Sequence, residues 1–553
     1  MKNKKKFMHQ NKILTFLIII ATLFMGIGYA SVNSISLDIN GTLVAKEQDG
    51  VYIKSVKYIE DNNANTEQST INNYYQTMLD STIILSNIDL ESSITYLITF
   101  YNNSNKNYYY SGTVFSNNFY DNNDIIYELN DISLGELIKP YSELSFSITF
   151  KYSSEIDNIT NNILNSYINF KFLEPANMKS ASNGYNGEFW NYKTSITKIV
   201  FQNEITDIDN SISFDVSEEK NETVMSRLVS NGDDTYTLYL QSNSIISAPV
   251  NSSYLFSGFT KLQSIENINY LETSKVTNMN NMFSENSSLI SLDLSSFDTS
   301  KVTNISYMFN NNKNMTDLNV NGFNTSKVTN MGHMFSFCNS LTSLVLSDFD
   351  TSNVTDMTWM FVDNNKITNL DLSNFVTNKV TSMDSMFYGC NSLTSLNVSN
   401  FNTEKVTTMN MMFYKCSNLT ELNISSFNTS KVTTMGNMFG MMVSITDLDL
   451  SNFDTSNVTD MNFMFSACLK LKNLNVTSFD TSNVKNMSFM FLSCQQLETL
   501  DLISFDMSGV TNTGSMLNDT GSIKNAYART EEDAAILNAI SGKPTTYTFV
   551  VKN

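Results

Sequence analysis

Two sets of side chains in this chain could hold or act on a partner, and both recur at a spacing of 26 residues. The first is acidic: Asp293, Asp317, Asp371, Glu421, Asp447, Asp449 and Asp501, with Asn319, Asn397, Asn423 and Asn475 interleaved. Paired carboxylates such as Asp447 and Asp449 are the raw material of general acid–base work or of calcium bridging. No nucleotide, zinc-protease or serine-hydrolase motif and no dedicated calcium loop accompanies them. The second set is the residue before each Met-Phe pair: Asn281, Tyr307, His333, Trp359, Ser385, Met411, Asn437, Phe463 and Phe489. His333 is the one histidine beyond the first thirty residues, and Tyr307, Trp359 and Phe463 stand in its place in other repeats. A catalytic base needs orienting partners, and a position this variable supplies none. The sequence therefore predicts a non-enzymatic protein with no cofactor and no metal, and the two sets become candidate ligand-binding residues.

What positions them is a repeat. Phe297, Phe323, Phe349, Phe375, Phe401, Phe427, Phe453, Phe479 and Phe505 form one unbroken column, and Val276 opens a second that runs to Val510. A fixed period of this size marks a stacked array in which each unit buries its apolar face against its neighbours. One unit reads Leu289, Leu292, Leu294, Phe297, Thr299, Val302, Ile305, Met308 and Phe309. Leu292 and Leu294 alternate as in a short strand, which places the acids on its solvent side. Val302, Ile305, Met308 and Phe309 fall on one face at helical spacing, with Thr299 or Ser300 placed to cap the turn. A strand and a helix in 26 residues fall within the leucine-rich-repeat range, with the strands stacking as a parallel sheet. By the helical step of about 100° the residue before Met-Phe points outward; without a helix it forms a second buried layer.

Cys338, Cys390, Cys416, Cys468 and Cys494 share one column with Asn286, Asn312, Asn364 and Met442. Two readings stand: five buried thiols under the turn, or disulfides between neighbouring coils, Cys390 with Cys416 and Cys468 with Cys494.

Residues 1–30 have a Lys-rich start, an apolar run from Ile13 to Ile27, and Gly28-Tyr29-Ala30 for cleavage, the pattern of an export signal. The membrane is met only through this signal, if it stays uncleaved. The formal charge of −20 becomes about −25 without the five lysines of that segment, which excludes nucleic acid as a partner because phosphate needs a basic surface. Residues 31–174 alternate with period two, as in Ile35, Leu37 and Ile39 or Phe146, Ile148 and Phe150, and predict an antiparallel β-sandwich. Residues 175–187 read as a linker, 188–270 as an N-terminal cap with a degenerate first repeat, 271–517 as the repeats and 518–553 as a C-terminal cap.

The runs Thr299-Ser-Lys-Val-Thr-Asn304 before Met308-Phe309, and Thr325-Ser-Lys-Val-Thr-Asn-Met331 before Met334-Phe335, resemble the 26-residue repeat of BspA-type bacterial leucine-rich-repeat surface proteins. The likeness covers about residues 187–553. It implies a secreted or cell-surface protein and, as in some members, an adhesin for extracellular or host protein or glycan; it brings no catalytic residue. The expected fold is thus mixed β and α/β: an N-terminal antiparallel β-sandwich followed by a leucine-rich-repeat solenoid with N- and C-terminal caps. The rival functional reading is a structural component of the cell surface or extracellular matrix with the repeats as spacer. No signal of oligomeric state is present.

Overall fold

The computed structural model describes residues 50–62, 70–75, 78–84, 91–115, 124–153, 163–181 and 188–552. The export signal and the expected strand through Ile35, Leu37 and Ile39 lie outside the described residues. The chain divides into two compact units, Met1–Phe172 and Leu173–Asn553.

The first unit is built from β1 (Val51–Asn62), β2 (Thr70–Tyr75), β3 (Met78–Ile84), β4 (Ser93–Asn102), β5 (Tyr108–Phe115), β6 (Ile125–Asn130), β7 (Leu137–Ile138), β8 (Glu143–Tyr152) and β9 (Ile163–Leu173). They form two sheets, ordered β1-β4-β8-β6 and β2-β3-β9-β5-β7. Period two places Phe146, Ile148, Phe150 and Tyr152 of β8 inward. Phe100 of β4 stacks on Phe146 at 5.4 Å and meets Phe170 of β9 edge-on at 5.3 Å, so one aromatic core joins the two sheets.

In the second unit Ala176–Asn177 pairs in parallel with Ile246–Ser247, and Met178 beside it is fully buried. A five-stranded sheet follows, in which Ile196–Gln202 is flanked by Tyr236–Gln241 and Ser264–Glu266. Phe189 and Trp190 are buried ahead of it, with Trp190 Nε1 donating to Leu255 O at 2.9 Å. Their core runs without a break into that of the repeats.

The repeats overturn the expected α/β leucine-rich-repeat solenoid. The segment expected to be helical is a run of turns. Met308 N donates to Ile305 O and Asn310 N to Tyr307 O, at 3.2 and 3.0 Å, three residues back rather than four. The alternate amides leave the coil altogether: Ile305, Tyr307, Phe309 and Asn311 donate to Asn330 O, Gly332 O, Met334 O and Ser336 O of the next coil, at 2.9–3.2 Å. Tyr307 and Asn311 hold φ of 58° and 64°, left-handed backbone that breaks a helix wherever it occurs. Val, Thr, Asn and Ser fill the segment and are weak helix formers, so the inter-coil bonds prevail. Among the described residues the single α-helix is α1 (Glu531–Asn538), capped by Thr530. The parallel sheet is also broken up: Ser291–Asp293 pairs with Asp317–Asn319, Asn369–Leu370 with Ser395–Leu396, and Asp447–Asp449 with Asn473–Asn475. Continuity comes instead from single parallel bridges that run from Asn251 through Asn278 and Asn304, coil by coil, to Asn512.

Asx turns shape the coils, three of them in the coil that holds Asp293, Asp298 and Asn304, while Val345, Val376, Thr408 and Thr434 stand at turn positions in other coils. Asp293 Oδ1 accepts from Ser295 N, Asp298 Oδ1 from Ser300 N and Asn304 Oδ1 from Ser306 N, each at 2.9 Å. Inside, Val302, Ile305, Met308 and Phe309 are wholly buried. The Phe309 column stacks ring on ring from Phe283 to Phe491, with centroids 5.6–6.3 Å apart. Threonine ties coils together: Thr351 Oγ1 donates to Val376 O at 2.9 Å and accepts from Val376 N at 2.7 Å.

Candidate binding surfaces

Asp293 and Asp449 end short strands, whereas Asp317 and Asp447 begin them. Asp293 accepts from Ser295 N and from Asn319 Nδ2 of the next coil, at 2.9 and 3.0 Å. Asp449 repeats this with Ser451 N and Asn475 Nδ2 at 3.1 and 2.9 Å, and Asp371 accepts from Ser373 N at 3.0 Å. Asp447 accepts from Thr446 Oγ1 and Asn473 Nδ2, and Asp501 from Lys552 Nζ at 3.0 Å. The Ser295 amide holds the Asp293 carboxyl below its ordinary range, and the Ser373 amide does so for Asp371. The Thr446 hydroxyl lowers Asp447 and Ser451 lowers Asp449. These five acids have structural employment as turn acceptors and inter-coil links. Asp317 and Glu421 are exposed and make no side-chain hydrogen bond among the described residues. Among those residues no three His, Cys, Asp or Glu gather as metal ligands.

The second set forms a ladder. Tyr307 is 36% exposed, and His333, Trp359, Phe463 and Phe489 are half-buried. The Tyr307 and His333 rings stack at 4.1 Å and 10°, and His333 stacks on Trp359 at 5.2 Å. Burial pushes the His333 imidazole below its ordinary range, against the opposing pull of Asp356. Phe463 and Phe489 form a separate stack at 4.4 Å. Every residue of this column has left-handed φ, from 54° at Ser385 and Met411 to 60° at Trp359 and Phe489. Asparagine tolerates that backbone; a large ring does so at a cost of roughly 1–2 kcal/mol.

Two members were missed in the sequence. Tyr388 stacks under Trp359 at 6.5 Å and 2°, and on Tyr414 at 5.1 Å; Tyr414 Oη then donates to Met441 Sδ at 3.0 Å. A ring follows Met-Phe in the two coils that carry Ser385 or Met411 before it, and that exchange was the available signal. Gly440 continues this column because a Cβ there would lie 3.0 Å from the Tyr414 ring.

The strand acids and the ring ladder are thus separate features of each coil, held by different turns. A pocket of about 600 Å3 lined by Pro175, Ile205, Glu219, Thr223 and Asn243 takes in neither.

These features define a class: a protein of stacked 26-residue coils held by Asx turns and inter-coil amide bonds, with a row of rings on one turn. The model of the family described as Mycoplasma protein of unknown function, DUF285, matches residues 250–369, 311–421, 355–446 and 441–530. Together these matches cover half of the chain, and the chain belongs to that family. Comparison with curated proteins and with solved structures gives no significant match.

Proposed function

We propose that this chain is an exported, non-catalytic binding protein, an adhesin that recognises an extracellular or host protein or glycan through the outward turn of its repeat stack. The observation that carries this reading is the ladder Tyr307–His333–Trp359–Tyr388–Tyr414. Stacking returns roughly 0.5–1.5 kcal/mol per pair, about what left-handed backbone costs a ring. Asn281 and Asn437 hold the same backbone, with φ of 57° and 58°, so the fold has no need of rings there. Half-exposed aromatic side chains in a row are what interfaces are enriched in. The likeness of the repeat to BspA-type surface proteins and the composition of residues 1–30 support an extracellular setting.

The test is binding of the full chain, and of Leu173–Asn553 alone, to immobilised extracellular-matrix proteins and glycans. Binding retained by the shorter piece supports the reading. Self-association of the first unit, with no binding by the second, would favour a structural role instead.

A further inference from the structure

One column of the coil runs against the acidic character of the chain. Lys275, Lys301, Lys327, Lys379, Lys405 and Lys431 occupy one turn position in six of seven consecutive coils, and all six are exposed. Among the described residues none of them forms an ion pair; Lys379 reaches only the neutral Asn353 Oδ1. The remaining coil has Asn353 at this position, and Asn457 and Asn483 hold it later in the stack. Each of those asparagines ties coils together: Asn353 Nδ2 donates to Ser326 O, Asn457 Nδ2 to Ser430 O and Asn483 Nδ2 to Ser456 O, at 2.7–2.8 Å. Apart from Lys379, which donates to Asn353 of the preceding coil, the lysines forgo such a bond, and the row places like charges one coil apart. The fold thus loses twice by having lysine here, which points to something outside the fold that gains.

We propose that this lysine column binds a linear anionic glycan, one carrying a carboxylate on successive sugar rings, laid along the stack. The proposal rests on the reading of the stack as a binding surface and names its ligand class. Charge and geometry select this ligand. The basic row is one side chain wide on a protein of net charge −20, so a membrane or a duplex would meet the surrounding acids, whereas a single chain meets the row alone. Single-stranded nucleic acid needs open ring faces for its bases. His333 is stacked between Tyr307 and Trp359, so the middle of the row offers ring edges. An extended acidic peptide repeats its side chains on one face every ~6.6 Å and drifts out of step with coils ~4.8 Å apart. Two of the lysines lead, six residues on, to a ring, Lys301 to Tyr307 and Lys327 to His333, while the other four lead to Asn281, Ser385, Met411 and Asn437. Ring edges are electropositive, and Tyr Oη and Trp Nε1 are hydrogen-bond donors suited to a hydroxyl-rich chain.

The test uses the full chain and oligogalacturonate, with its methyl ester, poly-Glu and oligo-dT as comparison probes. The variant Lys301→Asn/Lys327→Asn/Lys379→Asn/Lys405→Asn installs the residue the stack itself uses at this position, and should keep or raise Tm. Wild type should bind oligogalacturonate in a salt-dependent manner and not bind the ester. The Asn variant should bind about tenfold or more weakly, because charge-assisted contacts are lost, and the corresponding Lys→Arg variant should bind as wild type. Absence of oligogalacturonate binding by wild type, unchanged binding by the Asn variant, or tighter binding of oligo-dT or poly-Glu would overturn the proposal. If wild type and the Asn variant adhere equally to the matrix panel, this proposal fails and the adhesin reading stands; if neither adheres to anything, both fail.

Discussion

The thiol of Cys338 donates to the backbone carbonyl of Phe309 at 3.1 Å, the bond that Asn312 makes one coil earlier from its amide to Phe283 O at 3.0 Å. Cys390, Cys416, Cys468 and Cys494 repeat it on Phe361, Phe387, Phe439 and Phe465. Apart from Met442 the column is therefore a donor column, and all five cysteines are free and buried. Burial pushes the Cys338, Cys390 and Cys468 thiols up to about 12 and raises Cys416 and Cys494 well above their ordinary value. A thiol that does not ionise is a poor nucleophile. Native protein treated with iodoacetamide at pH 8 should stay unlabelled, and unfolding should release all five thiols. Rapid native labelling, or one thiol after unfolding, would contradict this.

Acid should loosen the Asx turns. Asp293, Asp371, Asp447 and Asp449 are held below their ordinary range. Their stabilising effect is present above the unfolded value of about 3.9 and is lost as pH falls through the lower folded values. Asn423 and Asn475 make the same turn bond one coil either side of Asp449. Asp449→Asn should leave Tm unchanged at pH 7 and lessen its fall between pH 4 and 2.

His333 acts in the same direction, in a higher pH window. Its folded value lies below the unfolded value of about 6.5, so below that pH the unfolded chain takes up a proton that the folded chain refuses. Stability contributed by this site therefore falls as pH drops from 7 toward 5. His333→Asn, matched to the left-handed φ of 59°, should flatten Tm over that window.

The stack should respond to a single missing ring. Phe387 is fully buried between Phe361 and Phe413, with centroids at 5.7 and 5.8 Å. Phe387→Ala should cost about 3–5 kcal/mol of unfolding free energy in denaturant titration, whereas Val345→Ala, at an exposed position, should cost less than about 0.5 kcal/mol.

The apolar columns were legible in the sequence because burial depends on side-chain register: Phe297 through Phe505 and Val302, Ile305, Met308 and Phe309 all lie inside. The backbone between them was not. A helix and a run of turns both bring residues such as Val302, Ile305 and Met308 inward, and only the destination of the amides separates them. That destination, the carbonyls of the next coil from Asn330 to Ser336, lies 25 residues away and leaves no local signature beyond the low helix propensity of Asn, Ser, Thr and Val. The ring ladder was half legible. Tyr307, His333 and Trp359 fall in one column, but its continuation through Tyr388 and Tyr414 changes column. The acids were legible as a row and opaque in role, since Asp and Asn alternate in a turn that either can make.

The central claim, that the ring ladder serves a partner and not the fold, is tested most directly by the full-chain variant Tyr307→Asn/Trp359→Asn/Phe463→Asn, measured for Tm and for adhesion to matrix proteins and glycans. Left-handed backbone suits asparagine, so Tm should hold or rise while adhesion falls about tenfold or more, as expected when interface aromatics are removed. Adhesion at the wild-type level, or a large loss of Tm, would contradict the claim.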